Sequence, residues 1–376
     1  MQIQAFKAHH LTCELEHTAW NSVMAHPTRP ALVVEVVTTD GISGWGSASG
    51  SARGGEDRLA AAAELLPGRD LRDWGLLLAA LTPVHGRGRG RGRNVVAAIE
   101  TALLDALGRS LDISVARLLG IQRQRVPAYA SGGYYYDHLS DRRDLIGQEV
   151  SEARERGFRY YKMKIGRVAP EQDLKDVVAA LEAAGDAMRV AVDPNCAYSY
   201  PVALEVGRAL DDLGVLWYEE PLPKRQLDAY RELREKLEVP IAGGEGYADL
   251  GEFQQALAAR AMDMVQPDLS GAGGFHACLD VAAVAAAHGV ACFPHCWADS
   301  LHIMASAHLL AAMPESPGIE FGVPPLLEYD ITENPIRLEL LGGEPPVDAD
   351  GCVVIPDAPG LGVEVDRAAL TKFATQ

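Results

Sequence analysis

The chain has 376 residues, with 34 basic against 52 acidic side chains and a formal net charge of −18. One core rarely grows past roughly 250–300 residues, so two domains or one large barrel with additions is expected. Apolar residues at 48% and charged residues at 23% exclude a disordered chain. The acidic balance argues against a nucleic-acid partner, and an anionic substrate would need a local cationic spot. The Ala-rich tracts Ala60–Ala63 and Val281–Ala287 stop short of the roughly 18 apolar residues of a membrane span. Met1–Ala5 lacks the features of a secretory signal. Cys13, Cys196, Cys278, Cys292, Cys296 and Cys352 show no framework spacing, so a reduced, cytoplasmic chain is expected.

In chain order, residues 1–125 read as an α+β segment. Ala31–Thr39 is rich in β-branched residues, Asp40-Gly41 is a hairpin turn signal, and Ile42–Ala48 is the returning strand. Helical pattern follows over Arg58–Leu66 and Asn94–Arg109, with Asn94 as the expected N-cap. Between them His85–Arg93 reads HGRGRGRGR. Alone it resembles an RNA-binding tract. Four arginines without aromatics, in so acidic a chain, favour a solvated loop.

From Val126 onward, short apolar runs alternate with amphipathic helical stretches. The strand-like runs are Val126–Ala130, Phe158–Ile165, Met188–Val192, Val215–Tyr218, Val239–Ala242, Met262–Val265, Val290–Phe293 and Gly318–Phe321. Eight strands separated by helices predict a closed parallel β/α barrel over 126–325; a doubly wound open sheet gives the same local pattern, and strand count is the main discriminator. Residues 326–376 are Pro- and Gly-rich with short apolar runs, and read as a tail packed back on the first segment.

Barrel chemistry sits where the strands end. Asp193, Glu219, Glu245, Asp268 and His295 follow successive strands at intervals of 26, 26, 23 and 27 residues, one βα unit per step. Asp193, Glu219 and Glu245 come from adjacent strands, so their carboxylates can meet. Three such groups repel unless a cation sits among them, and all-oxygen ligation suits Mg²⁺. Glu219 is favoured over Glu220, which would point to the other face of its strand. Lys162 and Lys164, two apart on a strand, face the same side, and mutual repulsion would bring one toward a usable general base. Asp268 can orient His295 and raise its basicity. Glu320, ending the eighth run, could donate a hydrogen bond to a substrate carboxylate. The array suits proton abstraction α to a carboxylate, between Lys164 and His295.

These motifs, Lys162-Met163-Lys164, Asp193-Pro194-Asn195, Glu219-Glu220-Pro221, Gly244-Glu245, Pro267-Asp268, His295 and Ile319-Glu320, resemble the enolase superfamily in its mandelate racemase subgroup. The resemblance implies an α+β capping domain (1–125), a modified TIM barrel of (β/α)7β type (126–325) and a C-terminal return to the capping domain (326–376). It implies Mg²⁺ on Asp193, Glu219 and Glu245, with Lys164 as one base and Lys162 assisting. Lys162 and Asn195 would touch the substrate carboxylate, His295 with Asp268 would be the opposite base or acid, and Glu320 the hydrogen-bonding acid. Homo-oligomers, dimers or octamers, are common to the fold. The segment Asp268–Gly274 carries no lysine, where muconate-cycloisomerase and dipeptide-epimerase relatives carry a base, which sets aside cycloisomerases and lysine–lysine epimerases. Glucarate and galactonate types match less well.

Loss of a β-hydroxyl would make the chain an acid-sugar dehydratase acting on an aldonic or aldaric acid, and reprotonation on the other face a racemase or epimerase. Dehydration is the leading expectation. Substrate choice is expected in Glu14–Pro30 and Ser47–Gly55. There His17, Asn21, His26 and Arg53 suit a polyhydroxy acid, with Arg53 the candidate for a distal carboxylate. Trp20, Val23 and Met24 suit an apolar one. A non-catalytic binding protein using the RG tract is the alternative of another class.

Overall fold

Glycines 44 and 46 let a helix lie directly on a strand. A Cβ on Gly46 would stand 2.0 Å from the Ala98 carbonyl oxygen, and one on Gly44 2.3 Å from that of Ala102. The helix is Arg93–Leu111, and the strand is the third of an antiparallel sheet: β1 (Ile3–Trp20), β2 (Ala25–Thr38) and β3 (Ser43–Ser49). The computed structural model describes residues 1–52, 54–82, 92–139, 141–314 and 322–375. β2 is apolar on both faces because both are covered. Leu32, Val34 and Val36 meet the capping helices, while Ala31 and Val33 join the larger core with Leu11 and Trp45. Asn94 does not cap the helix Arg93–Leu111. The helix begins one residue earlier, after Gly92 in the left-handed region at φ 64°, and the Asn94 amide instead donates to the Ser51 carbonyl at 2.9 Å.

The remaining strands are β4 (Arg125–Gly132), β5 (Tyr135–Tyr136), β6 (Tyr160–Lys164), β7 (Arg189–Asp193), β8 (Tyr218–Glu219), β9 (Ile241–Gly243), β10 (Met264–Val265), β11 (Ala291–Cys292), β12 (Leu327–Asp330) and β13 (Cys352–Val354). β5 extends the capping sheet. The order β12-β4-β6-β7-β8-β9-β10-β11 is parallel throughout, with helices between successive strands, the modified (β/α)7β barrel with a capping domain. Gly318–Phe321, expected as the eighth strand, lies outside the described residues. The strand paired with β4 is β12, in the register Leu327↔Ala128 to Asp330↔Ser131. Opposite it, the Cys296 N–H on the β11 loop donates to Glu328 Oε2 at 3.0 Å.

Side-chain alternation builds the barrel interior in layers. Ala191, Trp217, Ala242, Met264, Ala291 and Phe293 form one apolar plug. Two residues further along the same strands stand Asp193, Glu219, Gln266 and His295, facing the mouth. The tail first pairs β13 antiparallel to β4. It then reaches the capping sheet, where the Thr12 N–H donates to the Phe373 carbonyl and the Thr375 N–H to that of His10. No helix among the described residues is long and apolar enough to cross a membrane.

Candidate active site

Asp193, Glu219 and Glu245 each offer an oxygen within 4.8 Å of the others. Glu219 and Asp193 are fully buried. Trp217 Nε1 and Gln266 Nε2 both donate to Glu219 Oε2, at 2.9 and 2.7 Å, turning its other oxygen inward. Asn195 turns back on Asp193 with its backbone N–H at 2.7 Å and its amide at 2.9 Å. Its φ of 45° is the left-handed strain such a reversal needs. Glu220 faces away from the triad, accepting from Cys196 Sγ at 3.3 Å and the Gly244 N–H at 3.3 Å.

Both lysines point into the barrel. Lys164 Nζ lies 2.5 Å from Asp193 Oδ2, and Lys162 Nζ 2.5 Å from Glu219 Oε1 and 3.0 Å from Glu328 Oε1. Across the mouth, Asp268 Oδ2 holds His295 Nδ1 at 2.8 Å, which leaves Nε2 facing Glu245 at 3.3 Å and Glu328 at 3.6 Å. Asp268 is fixed in turn by the Gly271 N–H at 2.6 Å.

The electrostatics correct one expectation. Repulsion between Lys162 and Lys164 does not lower either. Burial pulls both ammoniums down, but Glu219 and Glu328 around Lys162, and Asp193 beside Lys164, outweigh it and hold both above the usual lysine range. Burial likewise pulls His295 down, yet Glu245, Glu328 and Asp268 carry it up to about 10. Burial, together with Asp193, Glu328 and Glu245 and against Lys162, pushes Glu219 up to about 7. Burial raises Glu328 too, but Lys162 and His295 overcome it and hold that carboxyl well below its ordinary range.

The donor set fits a hard divalent cation. Glu245 Oε2 is buried and accepts no hydrogen bond, and the three carboxylates crowd one point with only oxygen to offer.

Glu320 and Arg53 lie outside the described residues, as does most of the RG tract. The acid that reaches the site from the eighth strand is Glu328, which the sequence reading missed. Its signal was the alternation Leu327-Glu328-Tyr329-Asp330 after a Pro-rich stretch. Of the polar hairpin candidates, Asn21 spends its side chain on the Val23 and Met24 N–H groups, and His17 packs its ring at a tilt against His138, centroids 4.0 Å apart. His26 reaches the mouth instead, 4.7 Å from the Trp297 ring. Trp297 stacks on Tyr134 at 6.2 Å, and the Tyr134 ring lies 5.6 Å from Lys164 Nζ.

A carboxylate triad flanked by lysines and an Asp-held histidine, at the capped mouth of a (β/α)7β barrel, is the arrangement of the enolase superfamily. Residues 12–120 match the mandelate racemase/muconate lactonizing enzyme N-terminal domain, and residues 146–369 the enolase C-terminal domain-like family. The chain belongs to the mandelate racemase subgroup of that superfamily. It is 37% identical to a D-galactarolactone cycloisomerase of Agrobacterium fabrum, over 99% of each chain. It is 31% identical to a D-galactonate dehydratase of Xanthomonas euvesicatoria, over 91% of this chain and 90% of that one. Among solved structures, an L-talarate/galactarate dehydratase from Salmonella typhimurium, liganded with Mg and L-lyxarohydroxamate, superposes with a TM-score of 0.83 at 26% identity. It covers 100% of this chain and 93% of that one. The first of these relatives corrects one expectation: lack of a lysine after β10 does not distance the chain from every cycloisomerase.

Proposed function

We propose that the chain eliminates the β-substituent of a polyhydroxy carboxylate, giving a 2-keto-3-deoxy acid through an enediolate. Mg²⁺ held by Asp193, Glu219 and Glu245 would stabilise the enediolate charge and weaken the attraction that keeps Lys164 protonated. Lys162 and Asn195 would steady the substrate carboxylate. Lys164 takes the α-proton on one side. His295 gives its proton to the departing oxygen on the other, and Asp268 holds the ring so that Nε2 faces the substrate. The observation that carries this reading is the opposition of Lys164 and His295 across the triad, with Glu328 and Asp268 beside the imidazole favouring its acid form.

When the leaving oxygen is a hydroxyl, the reaction is dehydration of an aldonic or aldaric acid. A second reading is favoured by the full-length likeness to a lactone cycloisomerase. In the 1,4-lactone of a six-carbon diacid, the β-carbon of the free carboxylate bears the ring oxygen. Elimination then opens the ring, the ring carboxylate leaves, and mass is unchanged. Racemisation would use the same acid form, His295 returning its proton to the opposite face of the α-carbon instead of to a leaving oxygen.

Aldonic acids, aldaric acids and aldaric 1,4-lactones, each with Mg²⁺, separate the readings. A keto acid lighter by one water marks dehydration, and one of unchanged mass marks lactone opening. Absence of both keto acid and α-exchange across the panel would overturn the proposal. The substrate is thus taken as a small-molecule carboxylate. We place the chain in the cytoplasm, a reading supported by six free cysteines, and take it as a homo-oligomer.

A further inference from the structure

The end of the capping strand β3 is stitched to both loops that carry the histidine–aspartate pair. The Ser49 N–H donates to Ser270 Oγ at 3.0 Å, and Ser49 Oγ donates to the Trp297 carbonyl at 3.0 Å. Ser47 Oγ donates to Asp299 Oδ1 at 2.9 Å. Between them lies His302, fully buried in the helix Ser300–Ala312. Its Nδ1 is 3.1 Å from the Ser47 carbonyl and its Nε2 3.3 Å from Ser270 Oγ.

The hydrogen-bond directions follow from the partners. A carbonyl only accepts, so Nδ1 carries the proton, and in the neutral ring Nε2 accepts. With Nε2 accepting, the hydrogen at that contact is the Ser270 hydroxyl's, while Ser270 Oγ takes the Ser49 N–H. Ser270 lies in the single turn Leu269–Ala272 whose N-cap is Asp268. That turn sets the carboxylate that holds His295. The imidazole of His302 touches none of the reacting groups, and the proposed chemistry has no use for it.

We propose that Ser270 and His302 are positioning residues that convey the seating of the capping sheet to the His295–Asp268 pair, a role that rests on His295 being the acid–base group. Buried networks of this kind hold geometry only while each member is satisfied, so removing one hydroxyl loosens the turn at Asp268 and with it the imidazole.

The test needs no turnover, so its failure is distinct from failure of the proposed reaction. The whole chain is labelled with ¹⁵N-histidine and held with Mg²⁺. The His295 Nδ1–H resonance is assigned by its loss in His295→Asn. In Ser270→Ala the resonance should move, and its exchange with water should quicken by roughly tenfold, the worth of one net hydrogen bond. Ser270→Thr, which keeps the hydroxyl, should restore the parent behaviour. Should Ser270→Ala fail to fold, His302→Asn serves, since it keeps a donor toward Ser47 but drops the acceptor for Ser270. Unchanged exchange in the folded variant, whatever its melting temperature, would overturn the proposal. Absence of the resonance in the parent protein would overturn it too.

Discussion

Glu328 Oε1 lies 3.0 Å from Lys162 Nζ, while its other oxygen takes the Cys296 N–H at 3.0 Å and faces His295 Nε2 at 3.6 Å. One carboxylate from β12 therefore holds cations on both sides of the site and ties the two ends of the parallel sheet together. Glu328→Gln keeps the shape and removes the charge. It should lower kcat by roughly 10²–10³-fold, the usual cost of a lost preorganised electrostatic partner, with circular dichroism unchanged. Glu328 helps raise His295, which extends its acid form to higher pH. The alkaline limb of kcat should move to lower pH in the variant.

Metal binding should depend on pH through Glu219. Its carboxyl is raised to about 7 without metal and must be ionised to ligate. Affinity for Mg²⁺ should therefore rise with pH up to about that value and level off above it. Calorimetry at pH 6 in buffers of different ionisation enthalpy should show proton release. Saturating Mg²⁺, at about 100 times its dissociation constant, should add about 2.7 kcal/mol to stability. Glu219→Gln should abolish the proton release.

His308 is buried between the Ala116 N–H, which its Nδ1 accepts at 3.0 Å, and the Leu361 carbonyl 3.1 Å from Nε2. Burial lowers it to about 4. A histidine lowered on folding contributes stability above its unfolded value near 6.5, and that contribution is lost as pH falls toward 4. Urea unfolding should lose about 2–3 kcal/mol over this window from His308 alone. The loss should be smaller in His308→Gln.

Gly46→Ala should be strongly destabilising, since its Cβ would meet backbone, 2.0 Å from the Ala98 oxygen. Overpacking of this kind costs about 1–3 kcal/mol or more. The helix Arg93–Leu111 would have to lift from β3, and the melting temperature should fall accordingly.

Most of the barrel was legible because short strand-like runs alternate regularly with helical stretches. The triad was legible because one βα unit is nearly constant in length. What escaped was set by non-local contacts. The apolar run around Gly318–Phe321 outweighed the plainer alternation at Leu327–Asp330, so the eighth-strand acid was assigned eight residues too early. The lysines were read as repelling each other, because nothing in Lys162-Met163-Lys164 reveals that Asp193, Glu219 and Glu328 surround them. Asn94 reads as a cap in any local window, and only the nearby Ser51 carbonyl takes its amide away.

The central claim is that Lys164 and His295 act on opposite sides of one α-carbon. Turnover of the aldonic acid, aldaric acid and aldaric 1,4-lactone panel with Mg²⁺ in D₂O, followed by proton NMR for the parent chain, Lys164→Ala and His295→Asn, tests it most directly. The account predicts a 2-keto-3-deoxy acid from at least one member of the panel, with deuterium at C3. It predicts no product from Lys164→Ala, and from His295→Asn α-exchange at most, without elimination. Product formation undiminished in either variant, or none from the parent chain with Mg²⁺ bound, would contradict it.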